Sequence, residues 1–125
     1  MTIAEILHLV KGLNPSQYDD TLLVHWLSKL DGQIWRELIL THVGAPTEEF
    51  TGYNSAVSLD TVLLVPEPYA EDVYNHFLQA QIHKENSEME EYNQSITFYN
   101  DAYRLYASWY TRTHQPLPKY RRFRF

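Results

Sequence analysis

Three side chains on one predicted helix carry groups that bind metal ions. Asp72, His76 and His83 are separated by four and seven residues, so a helix would place them near one face. Carboxylate and imidazole are zinc ligands, and the chemistry would be hydrolysis by a zinc-bound water. A zinc site needs three or four converging ligands, and the sequence holds no His-Glu-x-x-His or His-x-His motif. We expect solvated or hydrogen-bonded histidines here and keep a hydrolase as one of three functional hypotheses.

Carboxylate pairs are a second candidate, because general acid–base catalysis uses two carboxylates that face one cleft. Two neighbours in sequence point in different directions on a helix, so they cannot face one cleft. We expect these carboxylates to lie at helix N-termini or on solvated helix faces instead. The sequence also lacks cysteine and a Gly-x-Ser-x-Gly motif, and its four glycines form no phosphate-binding cluster. We therefore expect no enzyme and no cofactor. The pairs are Asp19-Asp20, Glu48-Glu49, Glu71-Asp72 and Glu90-Glu91.

Positive charge is concentrated at the C-terminus. Residues 119–125 hold four cations and no acid, whereas the preceding 118 residues hold six cations and sixteen acids. Cations that alternate with aromatic rings could dock on a partner's sheet edge or groove, stack on single-stranded nucleic acid, or form a disordered end. We expect partner docking through Lys119, Tyr120, Arg121, Arg122, Phe123, Arg124 and Phe125.

Apolar residues at helical spacing predict four helices that position these groups. A capping box at Thr2 and Glu5 begins the first helix, and the second extends to about Thr41. A polar stretch, residues 85–88, either separates the third and fourth helices or is a solvated part of one long helix. The sequence predicts an all-α fold, a small bundle of about four helices over residues 1–115, followed by an extended tail, residues 116–125.

A long loop, residues 45–66, interrupts the helical pattern. Loops of some twenty residues are uncommon in small domains and are often functional or mobile. Two extended segments in it, residues 48–53 and 61–65, could pair as a short β-hairpin.

The fourth helix carries a tyrosine-rich seam whose positions alternate in steps of three and four residues. Tyrosine has an apolar body and a polar tip, which suits a surface that is partly wet. The seam is interpreted either as the core face of a bundle or as a contact between subunits. Its members are Met89, Tyr92, Ile96, Tyr99, Tyr103, Tyr106 and Tyr110.

The overall composition is that of a globular chain, with 44% hydrophobic and 21% charged residues. No apolar run of 18 residues and no signal-peptide pattern occur, so we expect no membrane association. The lack of cysteine fits a reducing compartment. An acidic body is poorly suited to wrapping DNA.

The order of sequence segments resembles small head–tail connector, or adaptor, proteins of tailed bacteriophages and prophages. The resemblance covers nearly the whole chain and rests on lineage-specific strings rather than on a chemical signature. The matching segments are residues 14–20 (NPSQYDD), 26–32 (WLSKLDG), 50–53 (FTGY), 63–69 (LLVPEPY), 91–95 (EYNQS), 98–103 (FYNDAY) and 110–116 (YTRTHQP).

This resemblance implies a helical subunit of a ring of about a dozen copies beneath the portal of the capsid. The ring would extend the DNA channel, let DNA pass without specific binding, and offer a platform to a downstream neck or tail-completion protein. The implied location is the head–tail junction of the virion, and the host cytoplasm during assembly. The alternative is a DNA-packaging accessory protein or another nucleic-acid-associated module, for which the basic tail is the only support.

A ring places two different faces of each subunit in contact. The long loop and the tyrosine seam are the predicted contacts between subunits, and the helix of Trp26 and Trp35 is a further candidate. We expect Phe50→Ala, or charge reversal at Glu48 and Glu49, to impair assembly more than folding. The contact candidates are Glu48, Glu49, Phe50, Tyr53, Tyr99, Tyr103, Tyr106 and Tyr110.

Overall fold

The computed structural model describes residues 1–15, 18–44, 49–54 and 58–117, and the regular structure in these ranges is helical. The predicted all-α bundle is confirmed. None of the helices in the described ranges has the length and apolar character needed to cross a bilayer. The α-helices are α1 (Ile3–Leu13), α2 (Asp20–Ile34), α3 (Ala70–Glu85) and α4 (Met89–Thr113).

The first turn of α1 is capped by the long loop between α2 and α3, residues 45–66, which we call the long connection. The Thr2 side chain accepts a hydrogen bond from the Glu5 amide, and the Glu5 carboxylate accepts one from the Thr2 amide, which confirms the capping box. The amides of Ile3 and Ala4 donate to backbone carbonyls of the connection, those of Thr61 (3.0 Å) and Leu59 (2.9 Å). The first turn of a helix leaves amides without partners, and the connection supplies the acceptors.

The hairpin allowed by the sequence does not form among the described residues of the connection. Val62 makes an isolated antiparallel bridge with Thr2, and the Leu63 amide donates to the Met1 carbonyl (2.9 Å). Leu63 and Val65 are buried in the core. The second extended segment therefore pairs with the N-terminus, because that pairing satisfies the start of α1 and buries two apolar side chains.

The end of α2 differs in detail from the predicted long helix. The α-helix ends at Ile34 and continues as a π-helical segment, Trp35–Ile39, in which the Leu40 amide donates to the Trp35 carbonyl (2.9 Å). The wider turn changes the helical phase, and the adjacent residues Leu38 and Ile39 are both buried.

The sequence allowed either one long helix or two helices separated by residues 85–88. The structure has two helices with a short turn between them. The α3 helix ends at Glu85, and Ser87 adopts a left-handed conformation with φ of 60° before α4 begins at Met89. Because the turn is so short, α3 and α4 are antiparallel neighbours. Their contact is the most extensive between helices in the described chain. The Tyr18 hydroxyl donates to the Asn86 side-chain oxygen (2.7 Å) and ties this turn to the start of α2.

The core lies where α1, α2 and α3 meet and is closed by the C-terminal half of α4. Apolar residues at helical spacing supply it, as predicted for the first three helices. The largest side chains that are almost completely buried include Tyr74, Tyr106, Ile3, Ile6, Leu23, Leu27, Leu30, Ile34, Leu78 and Ile82.

Candidate interaction surfaces

A buried carboxylate, Asp31 on α2, fixes the long connection to the helical core. Its side chain is fully buried, and its two oxygens accept three hydrogen bonds. The donors are the Tyr53 hydroxyl (2.6 Å), the Tyr74 hydroxyl (2.7 Å) and the Leu64 amide (3.2 Å). Burial raises the pKa of Asp31, and the three donors act in the opposite direction. A buried carboxylate without such donors would be strongly unfavourable, so the connection and the carboxylate depend on each other.

The two tyrosines around Asp31 are held as hydrogen-bond donors. Burial and the nearby Asp31 carboxylate raise the pKa of both Tyr53 and Tyr74 well above the ordinary value. The Tyr74 hydroxyl also accepts a hydrogen bond from the Val65 amide (2.9 Å), so one side chain joins α3, α2 and the connection. Neutral hydroxyls that are fully engaged in this way stabilise a fold rather than attack a substrate.

A second anchor holds residues 50–53 of the connection against α2. The Tyr53 amide donates to the Ser28 hydroxyl (2.9 Å), and Gly52 has φ of +86°. A β-carbon at Gly52 would lie 2.7 Å from the Ser28 oxygen, so only glycine fits this close approach. The Phe50 ring packs against the rings of Trp35 and Tyr53, with centroids 6.1 and 5.3 Å away.

Two of the predicted subunit contacts in the connection are thus used within the chain. Phe50 and Tyr53 are half-buried against α2, whereas Glu49 is exposed; Glu48 lies outside the described residues. Phe50→Ala would remove packing of the connection on α2, so we now expect it to lower folding stability as well as to affect assembly.

The sequence allowed the tyrosine seam of α4 to be either a core face or a contact between subunits. In the structure its residues differ in burial. Tyr106 and Tyr110 are buried in the core, whereas Tyr99 and Tyr103 are half-buried. The rings of Tyr99 and Tyr103 stack at 6.1 Å, and Tyr99 also contacts Phe77 on α3 (5.4 Å). Burial raises the pKa of all four tyrosines. The C-terminal half of the seam is core, and its middle is only partly covered.

The segment after α4 is anchored beside the end of the π-helical segment. The Val43 amide donates to the Gln115 carbonyl (2.7 Å), and the Leu117 amide donates to the Thr41 carbonyl (3.0 Å). His42 is buried between them, with its ring 5.3 Å from the Tyr110 ring and its Nδ1 2.6 Å from the Leu38 carbonyl oxygen. This pair of backbone hydrogen bonds defines the tail root, residues 115–117. The predicted docking residues 119–125 follow it in sequence and lie outside the described residues.

The three candidate metal ligands on α3 have other neighbours. The His76 ring contacts the tilted ring of Phe98 on α4, with centroids 5.3 Å apart. His83 Nδ1 lies 2.9 Å from a Glu88 carboxylate oxygen, and Asp72 is exposed. Within residues 1–15, 18–44, 49–54 and 58–117, no three side chains of His, Cys, Asp or Glu are placed to hold a metal ion.

Sequence reasoning missed the role of Asp31. The position of Asp31 in the sequence could have indicated its burial. It follows Leu27 by four residues and precedes Ile34 by three, which places it on the buried face of α2. A carboxylate on an apolar face requires donors from elsewhere in the fold, and a tyrosine-rich sequence can supply them.

Comparison with protein families, with curated proteins and with solved structures finds no match to this chain.

Proposed function

We propose that this chain is a structural head–tail connector of a tailed bacteriophage or prophage. It forms a homo-oligomeric ring beneath the portal, extends the DNA channel and offers a platform to the next neck or tail-completion protein. The anchored tail root carries this proposal. Gln115 and Leu117 are bonded to Val43 and Thr41, so the chain is fixed to the body two residues before Lys119, where the basic aromatic segment begins in the sequence. That arrangement suits a tail that docks on a partner while the body contacts its neighbours.

The charge of the body supports a role beside passing DNA. Outside residues 119–125 the chain holds sixteen acids and six cations, and many acids of the described chain are exposed, including Glu71, Asp72, Glu90 and Glu91. A surface of the same sign as the phosphate backbone does not retain double-stranded DNA. This charge is appropriate for a channel lining and unfavourable for a packaging protein that holds DNA.

Two partly exposed apolar side chains on α4 support association between copies. Phe98 and Leu105, seven residues apart, lie on one face of α4 and are 49% and 60% exposed. Residues seven apart stand almost above each other on a helix, about 10 Å apart, so one neighbouring subunit could cover both. Such a pair on a helix face is a reasonable part of a subunit interface.

The tail-docking part of this proposal is tested by binding to purified portal protein. The full chain and a chain that ends at Pro118 are mixed with portal assemblies, and co-sedimentation is measured. We expect the full chain to bind and the shortened chain to lose binding while it keeps its helical circular dichroism. Equal binding by both chains would contradict the proposed role of the tail.

A charge-matched variant separates docking from simple electrostatic attraction. Replacing Tyr120, Phe123 and Phe125 with serine keeps all four cations of the tail. Loss of portal binding by this variant supports insertion of the aromatic side chains. If instead the tail binds duplex DNA, with affinity that falls steeply with salt and is unchanged by the serine substitutions, the nucleic-acid alternative is favoured.

A further inference from the structure

A polar cleft of about 290 Å³ lies between α2 and α3, on a face used neither by the long connection nor by the tail root. The rings of Trp26 and Phe77 form part of its wall. Two lysines, Lys29 from α2 and Lys84 from α3, line it together with His25, which precedes Lys29 by one helical turn. We call this site the α2–α3 cleft. It joins cationic groups, aromatic rings and two glutamine amides in one recess.

The two lysines of this cleft, like Arg36 and Arg112, have no acidic partner within the described residues, and the lysines line the same recess. Among the six cations outside the tail, Lys11 is paired with Asp20 and Arg104 with Asp101. Neither Lys29 nor Lys84 takes part in an ion pair within the described part of the chain. Glu85 is the one acid among the described lining residues, so the cleft keeps an excess of positive charge.

We propose that the α2–α3 cleft binds exposed carboxylates of a second copy of this chain. The inference rests on the proposed ring and identifies one of its contact surfaces. Charge complementarity favours this occupant, because a neighbouring copy presents many exposed acids and the cleft presents cations without partners. A DNA backbone fits less well, since two lysines in a recess within an acidic surface cannot follow a line of phosphates.

The position of the cleft also suits a contact between copies. His25 and Lys29 lie on one face of α2, whereas Ser28 and Asp31, which hold the long connection, lie on another. The exposed Glu49 belongs to that connection. An acidic surface and a cationic cleft on different faces permit head-to-tail association, which closes into a ring when the rotation is suitable.

The test compares two double variants of the full chain with equal net charge. Lys29→Glu with Lys84→Glu reverses the cleft, and Arg36→Glu with Arg112→Glu reverses two exposed cations elsewhere. Association is measured by light scattering over a range of concentrations, alone and with portal protein, after circular dichroism has verified the fold. We expect the cleft variant to associate at least about tenfold more weakly and the control to resemble the unaltered chain. Added salt should weaken association of the unaltered chain.

Carbodiimide cross-linking identifies the occupant directly. A mixture of isotopically labelled and unlabelled chains is treated with the reagent, which joins lysines to carboxylates in contact, and links between copies are found by mass spectrometry. Links from Lys29 or Lys84 to an acid of the other copy support the proposal.

Three results would overturn the inference. Normal association of the cleft variant, with rings of the unaltered chain intact, would reject the cleft and leave the connector function standing. A chain that is monomeric even with portal protein would reject both. Binding of inorganic phosphate at the cleft, seen as a shift of the Trp26 indole resonance, without effect on association would assign the cleft to a small anion instead.

Discussion

The long connection and the tail root are both irregular segments, one packed on α2 and the other on the residues that follow the π-helical segment, and they are held in different ways. The connection is fixed by buried polar groups, with Asp31 and Tyr74 at the centre. The tail root is held by two backbone hydrogen bonds to Thr41 and Val43. The first segment is therefore part of the folded body, whereas the second is an attachment that can carry a docking tail without determining the fold.

Removal of the Asp31 carboxylate gives the largest expected effect. Asp31→Ala leaves the hydroxyls of Tyr53 and Tyr74 and the Leu64 amide without their acceptor, and each unsatisfied group costs free energy. We expect the free energy of unfolding to fall by about 3 kcal/mol, measured by urea denaturation. Asp60→Ala, at an exposed site, should change it by less than about 0.5 kcal/mol. Equal effects of the two substitutions would mean that the connection does not depend on Asp31.

Two glycine substitutions of opposite sign test the close approach of the connection to α2. Gly52→Ala forces a β-carbon against Ser28 at positive φ, and we expect a loss of about 2 kcal/mol. Gly12→Ala meets nothing within 4 Å and lies inside α1, so a gain of about 0.5–1 kcal/mol is expected. Thermal unfolding of both variants measures the contrast. A neutral Gly52→Ala would show that the connection is free to move away from Ser28.

The pH dependence of stability should report the buried carboxylate. Burial raises the pKa of Asp31 above the ordinary value of 3.8 that holds in the unfolded chain, so the folded chain binds this proton more tightly. The stability that this provides is complete below 3.8 and is lost as pH rises through the raised pKa. We expect the unfolding free energy of the unaltered chain, relative to Asp31→Asn, to decline as pH rises above 3.8 and to level off once pH has passed the raised pKa. A constant or rising difference would contradict this assignment.

The smallest effect is expected for the tail. Deleting residues 116–125 removes the Leu117 hydrogen bond to Thr41 and leaves the core intact, so the unfolding free energy should fall by no more than about 1 kcal/mol. Ending the chain at Pro118 keeps that bond and should change stability by less than about 0.5 kcal/mol. Denaturant titration of the two shortened chains and of the full chain measures these differences in unfolding free energy. Loss of the helical fold in either chain would erase the distinction between body and attachment.

Local signals predicted the helices well, and long-range contacts determined the rest. The capping box at Thr2 and the apolar positions of α1 and α2 depend on neighbours within a few residues, so the sequence alone revealed them. The pairing of Val62 with Thr2, and of Asp31 with Tyr53 and Tyr74, joins distant positions that no local pattern specifies. The possible hairpin does not form among the described residues for that reason.

The candidate interaction surfaces also combine local patterns, which the sequence shows, with long-range contacts, which it does not. The seam of α4 was visible in its spacing, but only the packing of α3 on α4 separates the buried Tyr106 from the half-buried Tyr99. The α2–α3 cleft combines Lys29 with Lys84, which are far apart in sequence, and no motif links them. The basic tail was the clearest signal in the composition, and its docking role stays a prediction.

Negative-stain imaging of the full chain, alone and mixed with portal protein, decides whether this chain forms the proposed ring. We expect closed rings of about a dozen subunits with a central hole, either free in solution or seated on the portal. Particles that stay monomeric at high concentration and leave portal assemblies bare would contradict the connector function.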